Sequence, residues 1–376
     1  MPASAPPTPK NNSNAVTVLY DGWALVHQPN SPAALHLLAL LARLPKEVDP
    51  IVALPGEAPV WFSEGASLEL RPCRDEPRSR LRWEQWELPK MGRELGAHLL
   101  HLVSPQPPLF GTTPTALSPT GLEEQESPPS GFIPRLREAL GRGARRRVGA
   151  LLWAADLPSP KVNTSVMRLP PLVHPAFSGE IDAPRIAPLE VELPETYVLY
   201  HGPSNQRALL RLLEVWSWTS APLGDSYPLV CLGLDSAAQN WLGAFLERHD
   251  LEISVRPLPA VSPTSMAQIY RGCSALLHPE AGACWSGTLR HALACARPVV
   301  AAESDSTDAL VGPGAYLTPA EDSRAMGAAL LTVIVNNEMS TRLSRAAGQR
   351  GAAWNITNFG SALLRAYRKI LSSEGS

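Results

Sequence analysis

Four short stretches of the chain carry residue types that could do chemistry. Ser286, Gly287 and Thr288 open a segment of helical pattern that runs to residue 296. Free N–H groups at a helix start bind anions, and the same small polar residues are also ordinary helix caps. His201 and Gly202 follow one apolar run, residues 196–200, and Glu280 follows another, residues 275–277. In an open α/β sheet, residues just past a strand's carboxyl end line the ligand crevice. The fourth stretch is the basic run of Arg142, Arg145, Arg146 and Arg147. It reads as a solvated helix end, with contact to phosphates or an anionic membrane surface as the alternative. No Ser/His/Asp or Cys/His arrangement and no metal-ligand spacing emerges.

These residues need elements to hold them. The 376 residues suffice for two domains. A hydrophobic content of 44% with 18% charged residues describes a globular chain. The net charge of −2 excludes a nucleic-acid binder that relies on a strong basic field. Cysteines 73, 231, 273, 284 and 295 form no CxxC pair, which points to a reducing compartment without structural zinc. The Pro/Ser/Asn-rich lead lacks an apolar core of the signal-peptide kind, and no run of about twenty apolar residues follows, so a cytoplasmic protein is expected.

Alternating patterns predict strands at residues 15–20, 49–54, 98–103 and 148–153, with a helix over 33–44. Residues 83–95 read as a helix broken at Pro89. Trp83 and Trp86 read as packing residues. Residues 104–131 read as a long Pro-rich insertion without structure of its own. The alternation restarts at 196 and continues to a terminal helix over 359–371. The pattern predicts two tandem doubly wound α/β domains. Residues 1–14 form a disordered lead, 15–185 the first Rossmann-like domain and 186–376 the second, with the terminal helix packing back on the first.

Several stretches, in order, resemble the wording of the retaining glycosyltransferases of family four, which have the GT-B fold. In the second domain these are YVLYHG followed by Arg207, then PLVCLGLD, MAQIYRGCSALLHP, ALACARPVVAAE and AAGQRGAAWNITNFGSALLRAYRKIL. In the first domain RWEQWELPK, HLLHLVSPQPPL and MRLPPLVHPAF carry it. The resemblance spans residues 16–371. It implies a nucleotide-sugar donor, such as a UDP- or GDP-hexose, in the cleft between domains, with no metal. In such proteins an Arg and a Lys neutralise the diphosphate, and two glutamates eight positions apart hold the sugar and the ribose. A Gly-rich loop of the first domain approaches the phosphates, and a His-Asp pair faces the reacting sugar.

Position by position, the charged inventory is largely missing. Arg207 stands where the Arg belongs, and Ala208 where the Lys does. The two glutamates fall on Ala283 and His291. The Gly-rich loop falls on residues 28–32, QPNSP, which contain no glycine. The segment TALSPTGLEEQ offers no His-Asp. Two expectations follow. One is a catalytically degenerate glycosyltransferase-like protein, a pseudoenzyme serving as a subunit in glycan synthesis. Its partner would be an active glycosyltransferase or a second copy, with a glycan or lipid-linked acceptor, in the cytoplasm or at the inner membrane surface. The other is an active retaining transferase with a remodelled site. There Arg207 would meet the diphosphate, Glu280 the sugar and His291 the ribose, with Gly202, Ser286, Gly287 and Thr288 around them.

Overall fold

The structure is a computed structural model that describes residues 15–62, 65–120, 131–178, 191–282, 287–354 and 358–374. The first unit runs β1 (Val16–Asp21), α1 (Trp23–His27), α2 (Pro32–Leu41), β2 (Val48–Leu54), β3 (Ser67–Leu70), α3 (Pro77–Arg82), a π turn (Trp83–Glu87), α4 (Leu88–Glu94), β4 (Leu99–Leu102), β5 (Thr115–Leu117), α5 (Phe132–Ala144), β6 (Ala150–Ala154), β7 (Val166–Leu169) and α6 (Pro175–Ser178). The second runs β8 (Val198–Tyr200), α7 (Gln206–Ser217), α8 (Ser220–Leu223), β9 (Leu229–Cys231), α9 (Ser236–Arg248), β10 (Val255–Pro257), α10 (Pro263–Gly272), β11 (Ala275–His278), α11 (Thr288–Ala294), β12 (Val299–Ala302), α12 (Asp305–Val311), β13 (Ala315–Thr318), α13 (Ser323–Val335), α14 (Asn337–Ala352) and α15 (Phe359–Glu374).

Both sheets are parallel throughout. The seven strands of the first lie in the order β3-β2-β1-β4-β5-β6-β7, and the six of the second in the order β10-β9-β8-β11-β12-β13. Strands covered on both faces need continuous apolar runs. Val198–Tyr200, Leu229–Cys231 and Val299–Ala302 are such runs, and every residue in them is buried. In each sheet the order reverses direction at one place, between β1 and β4 and between β8 and β11. That switch opens a crevice beyond the strand ends. The architecture is the two-unit α/β arrangement that the alternation predicts.

Three expectations are corrected. The segment expected as a Pro-rich insertion over 104–131 contains β5, an internal strand paired with β4 and β6. Three buried residues, Thr-Ala-Leu, are too short a run to stand out beside so many prolines. Pro89 does not break the helical segment. The Leu88 N–H bonds back five residues to the Trp83 carbonyl, and the widened π turn relieves the clash a proline ring makes with the turn before it. Trp83 is buried on that turn, whereas Trp86, expected in packing, is exposed.

The terminal helix α15 returns to the first sheet. Its Tyr367 hydroxyl lies 3.0 Å from that of Tyr20 on β1 and 2.6 Å from Nδ1 of His101 on β4. Ile370 packs so close to Gly149 that a Cβ there would come within 2.6 Å of it. The main apolar core therefore runs through both units, from β1 and α2 through α15 to α10 and α11. Among the described residues, no helix is long and apolar enough to cross a membrane.

Candidate functional site

The switch point of the second sheet gathers most of the expected residues. Tyr200, the last residue of β8, directs its hydroxyl to Glu280 Oε1 at 2.7 Å, with the Pro203 carbonyl 2.9 Å away. Burial and the adjacent Glu280 carboxylate raise the Tyr200 phenol well above its ordinary range, so it acts as a donor. Glu280 Oε2 is buried, has no hydrogen-bond partner and lies 3.4 Å from Nδ1 of His278. The same Nδ1 lies 3.4 Å from the Thr288 hydroxyl at the start of α11. Gly202 fits because a Cβ there would come within 2.6 Å of the Tyr200 hydroxyl. Gly202, Glu280 and Thr288 are thus joined through Tyr200 and His278, two residues that sequence reasoning missed. Gly287 is the buried residue before α11. Ser286, like Ala283, lies outside the described residues.

His201 follows Tyr200, and alternation along a strand sends it to the opposite face. Its Nδ1 lies 2.8 Å from the Tyr270 hydroxyl of α10, and its Nε2 is buried without a partner. Burial, helped by His278, pushes its pKa down to about 4. His291 on α11 is 1% exposed. Its ring lies flat on Phe177 of α6, with centroids 3.9 Å apart and planes 8° apart, and meets Tyr270 edge-on at 5.6 Å. Burial first, then His201, His174 and Arg290, hold His291 well below the ordinary histidine range. It is a neutral imidazole with Nδ1 unpartnered.

Arg207 is exposed in the first turn of α7. Where the diphosphate would need free N–H groups, the Ala208 N–H already donates to the Asn205 side chain at 3.0 Å. The loop at residues 28–32 meets the second unit directly. Asn30 Nδ2 donates to the Gly233 carbonyl at 3.4 Å. Gly233 has φ 85°, and a Cβ on it would come within 2.9 Å of Asn30. The Ser31 hydroxyl accepts from the Ala34 N–H and caps α2.

Two further features were not foreseen. Arg290, fully buried, forms a two-pronged pair with Asp156 at 2.7 and 2.8 Å, and its guanidinium stands 4.9 Å over the Trp354 ring. Asp156 follows β6 and Arg290 lies on α11, so the pair ties the two units together. In the first unit, Ser118 lies in the segment where a His-Asp pair was expected. It bridges two histidines, 2.7 Å from His101 Nε2 and 3.0 Å from His36 Nε2. Burial drives both down to about 3. The only sequence signal was histidine inside apolar runs, LHLLAL and LLHLV. Among the described residues, no group of three or more His, Cys, Asp or Glu side chains could hold a metal ion.

Two facing doubly wound units with a crevice at their switch points define the GT-B class. A family model, glycosyl transferases group 1, matches residues 195–336, which lie within the second unit. No curated protein matches the sequence. Sucrose-phosphate synthase of Thermosynechococcus elongatus superposes with a TM-score of 0.67 at 16% identity, covering 95% of this chain and 100% of that one. WaaG, a glycosyltransferase involved in lipopolysaccharide biosynthesis, gives 0.67 at 13%, covering 94% and 99%. Anabaena HepE in complex with UDP and glucose gives 0.65 at 12%, covering 93% and 99%. At these identities the likeness is one of fold.

Proposed function

We propose that this chain keeps the glycosyltransferase fold without transfer chemistry and serves as a non-catalytic or partner-dependent subunit in glycan synthesis. The observation that carries this reading is His291 stacked on Phe177 at 3.9 Å. The resemblance puts a ribose-binding carboxylate at that position. A neutral, covered imidazole offers no bidentate pairing to a diol. Ala208 in the lysine's place removes a cation where leaving-group charge would grow. Losing one such transition-state contact typically costs about 3–4 kcal/mol, and several together leave little rate even though they do not add simply. Its partner would be an active glycosyltransferase or a second copy of the chain, in the cytoplasm or at the inner surface of a membrane.

A second reading has one observation in its favour. Glu280 is a carboxylate at the switch point with one oxygen that accepts no hydrogen bond. In an active retaining transferase it would hold the sugar hydroxyls of a UDP- or GDP-hexose, with Arg207 at the diphosphate. The neighbour solved with UDP makes UDP the first probe.

Thermal unfolding with UDP, GDP, ADP and UDP-glucose, paired with an assay for UDP release, decides between them. A ligand at about 100 times its Kd stabilises by about 2.7 kcal/mol. No shift at millimolar nucleotide and no release are expected. A shift with turnover that Glu280→Gln abolishes would replace the first reading by the second.

A further inference from the structure

We propose that β3, the open edge of the first sheet, pairs antiparallel with β3 of a second copy across a two-fold axis at Leu70, so that two first units share one continuous sheet. This names the surface for one of the two partners given above, and it stands whether or not the donor site is active.

Backbone geometry is the first support. Among the described residues, β3 bonds to β2 on one side and ends the sheet on the other. The Arg71 N–H turns inward to the Leu54 carbonyl at 2.9 Å. In a parallel ladder alternate residues face the same neighbour, so Leu68, Leu70 and Pro72 turn their backbone groups to the open side. Such a row is a template for another strand.

Side chains supply the second support. In register, Leu68 stands beside Val52 and Leu70 beside Leu54. Val52 and Leu54 are fully buried, whereas Leu68 is 44% and Leu70 50% exposed. The apolar face of the core thus runs out uncovered onto the edge strand. It continues past Ala66 into a groove lined by Leu44, Pro45 and Pro50.

Charge selects the occupant and the register. Glu69 and Arg71 are two residues apart and share the other face of the strand. Arg71 reaches Glu69 at 3.0 Å and Glu94 of α4 at 3.3 Å, surface pairs that exchange at little cost. An axis at Leu70 sets Glu69 of each copy opposite Arg71 of the other, the reciprocal contact that a two-fold interface requires. Moving the axis to either neighbouring residue sets Glu69 against Glu69 or Arg71 against Arg71, and like charges directly opposite are destabilising. At the axis the two Leu70 residues exchange both backbone hydrogen bonds, and each Leu68 N–H donates to the Pro72 carbonyl opposite. Pro72 has no N–H to return, which ends the ladder. The strand therefore carries its own complement, and a second copy is the occupant it favours.

The test is disulfide trapping and sedimentation equilibrium of the full chain. Opposite residues of a hydrogen-bonded antiparallel pair have Cα atoms about 5.5 Å apart, inside the range a disulfide spans. Leu70→Cys should therefore give a covalent dimer under air oxidation. Leu68→Cys, similarly exposed, should not, because the two copies of residue 68 would lie about 14 Å apart. The parent chain controls for its own cysteines. In sedimentation the parent should form a dimer that dissociates on dilution. Glu69→Arg or Arg71→Glu alone should weaken it about tenfold, and the double variant should restore it. Melting at a dilution where the parent is monomeric shows that each variant is folded. A parent that stays monomeric throughout, no trapping by Leu70→Cys, equal trapping by Leu68→Cys, or a double variant no better than the singles would each overturn the proposal. None of those results touches the nucleotide test.

Discussion

Two buried polar networks lie on either side of Arg290, and they differ in completeness. In the first unit, Tyr20, Tyr367, His101, Ser118 and His36 form one chain of hydrogen bonds, and both ring nitrogens of His101 are used. At the second switch point, Tyr200 with Glu280 and His201 with Tyr270 are paired. Glu280 Oε2, His201 Nε2 and His291 Nδ1, all buried, are not. A completed network is accounted for by the fold alone. An incomplete one leaves buried polar atoms that only a bound molecule or water can meet. Arg290 acts on both, since its charge lowers the pKa of His36 and of His291.

The strongest way to break the comparison is to remove what separates the networks. Asp156→Ala strands a buried guanidinium and should cost about 3–5 kcal/mol, read as a fall in the urea midpoint. The pair replacement Asp156→Leu with Arg290→Met should recover much of that loss. If the single variant is neutral, the pair is not holding the two units together.

Acid should weaken both sides. A histidine whose folded pKa lies below its ordinary 6.5 is neutral when folded but takes up a proton on unfolding. Stability from His36, His101 and His201 is therefore present above pH 6.5 and declines as pH falls toward the folded values of about 3, 3 and 4. Each contributes about 1.4 kcal/mol per pH unit inside that window. Urea midpoints from pH 7.5 to pH 5 measure the slope, and His201→Gln should remove one proton from it. An unchanged slope in that variant would mean that His201 is protonated in the fold.

Removing single hydroxyls sharpens the contrast. Tyr367→Phe deprives both Tyr20 and His101 of a partner and should cost about 1–3 kcal/mol. Tyr270→Phe leaves one histidine nitrogen unpaired and should cost less. Equal losses would mean that the first network gains nothing from being complete. The smallest effect is expected for Glu280→Gln, which keeps an acceptor for Tyr200. A change in stability within about 0.5 kcal/mol is expected, and a larger one would give the carboxylate a structural duty.

Both sheets were legible because buried parallel strands write themselves as unbroken apolar runs, such as residues 198–200 and 299–302. Glu280 and Gly202 were legible as strand-end residues. What escaped depends on contacts between distant segments. The stacking of His291 on Phe177 joins residues 114 positions apart, and the pairing of Arg290 with Asp156 spans 134. No local period encodes either. Trp86 was misjudged because the π turn carries it round to the exposed face, whereas Trp83 is buried as expected. The strand β5 was hidden between prolines, Pro114 before it and Pro119 after it.

The return of α15 to the first sheet has a consequence for how the protein is made. A ribosome delivers the first unit's strands and helices well before Tyr367 and Ile370 emerge. At about 5–20 residues per second, the apolar face around Gly149 waits through the synthesis of the entire second unit. The first unit is sealed last although it is born first. The newborn chain thus carries an open apolar flank until α15 itself has emerged, an interval in which it can associate wrongly.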